Sequence, residues 1–351
     1  MRVLIVGGGP GGLHLGALLK KADPRCHVTI VERRAAGQTF GFGVLCAEDT
    51  LANLAASDPV THDQIEREVV RTTEIEVRYL DTRAVVGECS FAGISRPRLL
   101  QILRRRCESL GCELMYGQRL DGDSSFERYE LVVAADGARS GVRSRLSAQF
   151  GTEIRYHSWK YLWLGVDYAL ERFTFSFRDG GAGVFHIHGY RHQAGASTVV
   201  VECDQEAWRR AGLDRADEAA SVAYCSTLFG DDLGGRALTG NRSRWDSFAL
   251  VSNERWYHSR VVLLGDAAHT AHFSTGTGTK AALEDAISLA AQVSAWGPTE
   301  RAFEAYQAER VPLVRQYQEA GDASREWFED VRRGLRFLGI AGKGARGGDA
   351  R

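Results

Sequence analysis

The sequence predicts an α/β fold, a Rossmann-like body with an inserted β-rich lobe and C-terminal helices. Three observations carry that prediction. An aliphatic run, Arg2–Val6, leads into the glycines of 7–12 and then into helical spacing. A second aliphatic run, Val28–Val31, ends at Glu32. From about 156 to 252 the pattern changes to strict alternation, before another aliphatic run appears at Val261–Leu264. Aliphatic runs separated by helical spacing indicate a parallel sheet covered by helices, whereas period-two alternation indicates antiparallel strands.

The opening is the most informative unit. Leu13, Leu15, Leu18 and Leu19 continue from the glycines as a helix to about Lys21. Strand, Gly7-x-Gly9-x-x-Gly12, helix, strand and acid follow in order, with Glu32 twenty residues after Gly12. In this arrangement the first glycine makes the tight turn and the second lets a pyrophosphate approach the backbone. The third permits close helix–strand packing, and the acid accepts hydrogen bonds from a ribose. A dinucleotide site is expected. The pattern leaves NAD and FAD both open, while Glu32 argues against a 2′-phosphate.

Downstream, Gly41 and Gly43 in the 37–50 segment would let the backbone lie flat against a planar ligand. Helices are expected at 51–56 and 62–70, and a hairpin from 74–79 and 84–91. Ser95 and Pro97 suit the start of a helix running to about Leu110. Arg96 therefore stands at a helix start, where a cation is unfavourable unless it faces an anion. Leu131–Ala135 reads as a buried strand ending at Asp136-Gly137, and strand ends are where α/β sheets hold ligands. Strands are expected at 161–166, 173–177, 184–188 and 198–202, with one or two helices over 208–229. Val261–Leu264 then ends at Gly265-Asp266, and a loop holding Gly276 and Gly278 opens another helix. Helices close the chain from Thr299 to about Leu338.

These readings divide the chain into a discontinuous nucleotide-binding body (1–75, 90–155 and 253–298) and a β-rich lobe (76–89 and 156–252). C-terminal helices (299–340) and a flexible tail (341–351) complete it. A net charge of −1 over 351 residues suggests neither nucleic acid nor an anionic membrane as partner. Seven cysteines are scattered without a CxxC pair, so no metal site and no redox disulfide is expected. A reduced, cytoplasmic protein follows. Met1 leads straight into the first strand, leaving no room for a signal peptide, and no apolar run reaches the ~20 residues a membrane helix needs.

Three motifs together resemble the FAD-dependent aromatic-ring monooxygenases with a p-hydroxybenzoate-hydroxylase-like fold. They are Gly7-x-Gly9-x-x-Gly12 with Glu32-Arg33, Asp136-Gly137-Ala138-Arg139-Ser140-Gly141-Val142-Arg143, and Gly265-Asp266-Ala267-Ala268-His269 running on to Asp285-Ala286. Gly41–Val44, Lys160–Trp163, Val201–Cys203 and Ser324–Glu329 are most similar to the branch of protodeoxyviolaceinate monooxygenase and the anthraniloyl-CoA and salicylyl-CoA hydroxylases. His272 and Lys280 depart from the family's usual proline and asparagine.

The resemblance implies an FAD-binding body and a single-component enzyme. It would hydroxylate an electron-rich aromatic ring (indole, aniline or phenol type, in secondary metabolism) with NAD(P)H and O₂ through a flavin C4a-hydroperoxide. A reductase of the geranylgeranyl-reductase kind is the alternative. Cofactor contacts are expected from Gly7, Gly9, Gly12, Glu32, Arg33, Val44, Arg96, Asp136, Asp266, Gly276, Gly278 and Thr279. NAD(P)H would bind only transiently, since no second glycine motif follows. The aromatic substrate would be lined by Trp163, Phe175, Phe185, Tyr190 and Phe273. His186, His188 and His272 are the candidate catalytic residues, and a monomer or homodimer is expected.

Overall fold

A computed structural model describes residues 1–79, 82–120 and 123–330. The end of the expected last helix and the 341–351 tail lie outside these residues. The fold consists of two sheets with helices packed on and between them. In the six-stranded sheet, Val261–Leu263, Leu131–Ala134, Arg2–Val6, His27–Glu32 and Glu113–Tyr116 lie side by side in parallel. Tyr257–His258 adds an antiparallel edge. The inner strands are aliphatic throughout because helices cover both faces. Pro10–Ala22 and Thr277–Trp296 pack against each other there, and Leu4, Ile5, Leu15, Leu263 and Leu283 are among the fully buried residues.

The second sheet is mixed and has nine strands. Thr152–Val166, Ala196–Cys203, Val184–Gln193 and Phe173–Asp179 form its antiparallel centre. Val70–Tyr79 then pairs in parallel with Phe173–Asp179, and Thr82–Ser95 and Gly43–Ala47 complete that side. The hairpin thus joins the larger sheet through Ile75–Tyr79, and the 43–47 segment joins through Phe91–Ser95. The expected helix at 62–70 stops at Glu66, because Val70 already pairs with Gly93.

Period-two alternation gives the larger sheet two unlike faces. Leu162, Leu164, Phe185, Ile187, Val199 and Val201 bury one face in a separate core with Cys225 and Phe229 of the helix Glu218–Phe229. Tyr161, Trp163, His186, His188, Val200 and Glu202 occupy the other face. Onto that face come the 265–276 loop and the last turn of a 30-residue helix, Glu300–Glu329.

Candidate active site

The first strand ends in a turn that only glycine tolerates well. Gly7 has φ +117°, and a Cβ there would lie 2.2 Å from the Ala135 carbonyl oxygen. At Gly12, on the helix, a Cβ would meet the Gly7 carbonyl oxygen at 2.2 Å. Gly9 differs, for a Cβ there would meet nothing within 4 Å. Glu32, at the end of the second strand, accepts hydrogen bonds from the Gly8 N–H (2.9 Å) and the Arg34 N–H (3.0 Å). Beside these residues opens a cavity of about 420 Å³, lined by Gly8, Gly9, Glu32, Arg34, Arg96 and Tyr116 among others. The Arg96 Nε–H donates to Thr39 Oγ1, and burial pushes its guanidinium pKa down.

Two motifs from distant parts of the chain meet behind the Gly7 turn. Asp136 Oδ2 accepts the Gly141 N–H at 2.8 Å, while its Oδ1 is buried without a hydrogen-bond partner. The buried Arg143 guanidinium donates to the Ala138 and Ala267 carbonyls, at 2.6 and 3.1 Å. It thereby ties the Asp136 turn to the Gly265–Ala267 corner, where Asp266 stands exposed. Asp285 holds that corner from behind, accepting the Gly265 N–H at 3.0 Å and bonding His269 at 2.7 Å. Arg310 of the last helix closes the group, 2.8 Å from Asp285 and 3.1 Å from Glu284. Burial alone would raise the Asp285 carboxyl, but His269 and Arg310 hold it below the ordinary carboxylate range.

The loop runs on through Gly276, at φ +68°, into the helix Thr277–Trp296. Gly276 packs over Leu45, and a Cβ at Gly278 would meet nothing within 4 Å. Lys280 turns away to Asp49 and Glu284 (2.5 and 2.7 Å), fastening this helix to Glu48–Ser57.

Facing the loop, the larger sheet presents an aromatic box. Phe273 lies 4.9 Å from Tyr161, 5.7 Å from Trp163 and 6.1 Å from His188, centroid to centroid. Phe175 and Phe328 flank His188 at 5.1 and 4.6 Å, and Phe328 also stacks on His186. Within the box three imidazoles converge on one carboxylate. Glu202 Oε2 is 2.9 Å from His186 Nε2 and 2.7 Å from His188 Nε2, and Oε1 is 3.5 Å from His272 Nε2. All four side chains are buried, at no more than 4% exposed. Burial would raise the Glu202 carboxyl, but the two imidazoles hold it well below the ordinary range. Burial lowers His186, and pushes His272 down to about 4. The Nδ1 atoms of His186 and His188, and Trp163 Nε1, are buried without partners.

Residues 1–320 match the FAD binding domain family. Over 345 residues the chain is 37% identical to salicyloyl-CoA 5-hydroxylase of a Streptomyces species, covering 96% of this chain and 67% of that one. This chain is an FAD-dependent monooxygenase of that family. It is also 34% identical to a 3-hydroxy-4-methyl-anthranilyl-[aryl-carrier protein] 5-monooxygenase of Streptosporangium sibiricum, covering 93% of this chain and 89% of that one. Among solved structures, 2-methyl-3-hydroxypyridine-5-carboxylic acid oxygenase in a tetrameric form shares the fold. The TM-score is 0.76 at 17% identity, covering 98% of this chain and 93% of that one. The expected branch and the aromatic-hydroxylase reading both hold, and the reductase alternative is not favoured.

The monooxygenase fits its cofactor on structural grounds. The open positions at Gly9 and Gly278, the cavity beside Gly9 and Glu32, and the unpartnered Asp136 Oδ1 suit a long polar dinucleotide. Several residues expected at the site from the sequence lie elsewhere because packing places them there. Phe185 pairs with Cys203 on the opposite face and is fully buried in the second core, one residue out of phase with His186. Tyr190 donates its hydroxyl to the Gly43 carbonyl at 2.9 Å, so it holds the 43–47 strand in place. Gly43 serves that same packing, since a Cβ there would meet His192 Cβ at 2.2 Å. Arg33 is exposed, and Arg34 lines the cavity instead. Ser95 occupies the N-cap position of its helix without a side-chain capping bond. Sequence reasoning named all three histidines but missed Glu202 as their common partner, and missed Phe328. Both lie in segments that carry the family likeness, which was the available signal.

Proposed function

We propose that the enzyme hydroxylates the ring of a phenol- or aniline-type substrate carried as an acyl thioester. The observation that carries this reading is the aromatic box of Tyr161, Trp163, Phe175, Phe273 and Phe328, built around buried and partly unsatisfied polar atoms. Such a box suits a flat, electron-rich ring with one polar substituent. Relatives named for CoA-linked and carrier-protein-linked aryl acids support the thioester.

Gly7, Gly9 and Gly12 would admit the cofactor's pyrophosphate, with Glu32 on the adenosine ribose and Arg34 in place of Arg33 at that end. Arg96, Asp136 and Asp266 would hold its middle, and Val44, Gly276, Gly278 and Thr279 its ring. When bound and reduced by NAD(P)H, FAD supplies the activated oxygen from O₂. The protein's part is to hold the arene against the flavin loop and keep water out, with the half-buried rings of the box and Phe328 closing over it. Backbone N–H groups at the start of the Thr277 helix would favour negative charge on the ring system beside them. Seven free cysteines fit a reducing, cytoplasmic setting, and we propose a monomer or homodimer. No described helix is long and apolar enough to cross a membrane.

The test is NAD(P)H oxidation by the yellow holoenzyme against a panel of aryl-CoA thioesters, free aryl acids, phenols, anilines and indoles. Oxidation stimulated by thioesters, with product heavier by one oxygen atom, is the expected result. Stimulation by none of them would refute the reading.

A further inference from the structure

We infer that His188, backed by Glu202 and His186, is a built-in proton acceptor for the acidic O–H or N–H of the substrate ring. The inference rests on the hydroxylase reading above and goes beyond it by naming the group that selects ionisable arenes. Its geometric basis is a single buried carboxylate on one strand, met by two imidazoles from the neighbouring strand and one from the 265–276 loop. Both strand imidazoles turn Nε2 toward Glu202, which leaves each Nδ1 as a buried acceptor without a donor. The His188 ring stands among Phe175, Phe273 and Phe328, inside the box where the arene is placed.

Charge balance points the same way. A buried carboxylate with no cation beside it is an uncompensated charge, and desolvation makes that costly. One proton on His188 converts it into a compensated imidazolium–carboxylate pair. In the proposed step the substrate O–H bond breaks, its electron pair stays on oxygen, and the proton passes to His188 Nδ1. The resulting imidazolium donates to Glu202, and the ring becomes more electron-rich.

Other titratable groups near the cluster are few. Tyr161, directly across from Glu202, is pushed up to about 12 by burial, so it stays a neutral phenol. His157 lies 6.0 Å from His272, with Arg325 and Asp322 of the last helix as its charged neighbours. Arg178 and Asp232 pair with each other through the opposite face of the sheet.

A transition-metal ion is the rival occupant, since His186, His188 and Glu202 offer donor atoms close together. Metal-bound histidines almost always donate their second ring N–H to a partner. Here neither Nδ1 has one. The proton-holding reading is the better supported.

The experiment uses the oxidised holoenzyme and 4-nitrophenol, whose phenol and phenolate forms absorb differently. In wild type the bound probe should ionise at least one pH unit below the free probe. In Glu202→Gln and His188→Gln its midpoint should return to the free value, and Glu202→Asp should restore most of the shift. Retained FAD absorbance reports that each variant is folded. With a turned-over thioester, kcat/KM of E202Q should fall about 100-fold while the KM for NAD(P)H is unchanged. Equal midpoints in wild type and variants, failure of the probe to bind, or a stoichiometric metal in the purified protein would overturn the inference. If wild type hydroxylates thioesters yet the midpoints agree, this inference alone fails. If no arene is hydroxylated, the parent reading fails as well.

Discussion

Substituting Gly9 by alanine separates folding from cofactor binding within one turn. Gly9 has φ −76° and ψ 178°, an extended conformation open to any residue, and its Cβ would meet no protein atom within 4 Å. Alanine there restricts the unfolded chain, which stabilises by about 0.4–1 kcal/mol. It is also a poorer N-cap for the helix Pro10–Ala22, at a similar cost. The two effects offset, so stability without FAD should change by less than about 1 kcal/mol. The added methyl should instead lie where the pyrophosphate approaches the backbone. Losing even one charge-assisted N–H bond costs ~1.5–3 kcal/mol, at least a tenfold weaker FAD complex. Urea denaturation of FAD-free protein, with titration of FAD by fluorescence quenching, measures both quantities. Gly7→Ala is the contrasting case, because its Cβ would collide with the Ala135 carbonyl and the protein itself should be destabilised. If Gly9→Ala keeps wild-type FAD affinity, the cofactor does not pass over this turn and the placement is wrong.

Arg310→Met leaves Asp285 and Glu284 without their shared buried cation and should cost about 3–5 kcal/mol, read from the denaturation midpoint. A loss under about 1 kcal/mol would show the pair to be energetically idle. Asp285 is held below its ordinary pKa in the folded state, so its contribution is present above about pH 4 and is lost as pH falls through the lower, folded value. Asp285→Asn should therefore flatten the acid limb of the stability–pH curve, and an unchanged limb would contradict the assignment. Tyr190→Phe strands the Gly43 carbonyl at a cost of about 1–3 kcal/mol. It should also raise NAD(P)H oxidation without hydroxylation if the loosened 43–47 strand borders the flavin as proposed; tight coupling in this variant would argue against that placement.

Much of the cofactor end was legible in the sequence because its chemistry is local. Gly7, Gly9 and Gly12 stand in a turn whose backbone demands are set within a few residues, and Glu32 follows at the end of the adjacent strand. The two later motifs were legible one by one. Their joining through Arg143 and Ala267 was not, since it depends on contacts across 124 positions. The substrate end was less legible for the same reason. His186 and His188 share a face by alternation alone, but which face looks at the loop depends on what packs behind. That choice sent Phe185 into the second core. Glu202 reaches the histidines only through strand pairing, His186 opposite Glu202. Phe328 reaches them from the last turn of a helix far along the chain. Arg33 and Arg34 differ by one position after a strand end, where orientation follows the turn more than the residue type.

The central claim is that FAD, held along the glycine turns, oxygenates an arene seated on the His–Glu face of the larger sheet. Single-turnover reaction of the reduced holoenzyme with ¹⁸O₂ and a responding aryl thioester tests it most directly. One ¹⁸O atom should appear in the product ring, with yield falling sharply in E202Q although FAD stays bound. Reduced enzyme that consumes ¹⁸O₂ yet returns an unlabelled ring, or one that saturates a carbon–carbon double bond instead, would contradict it.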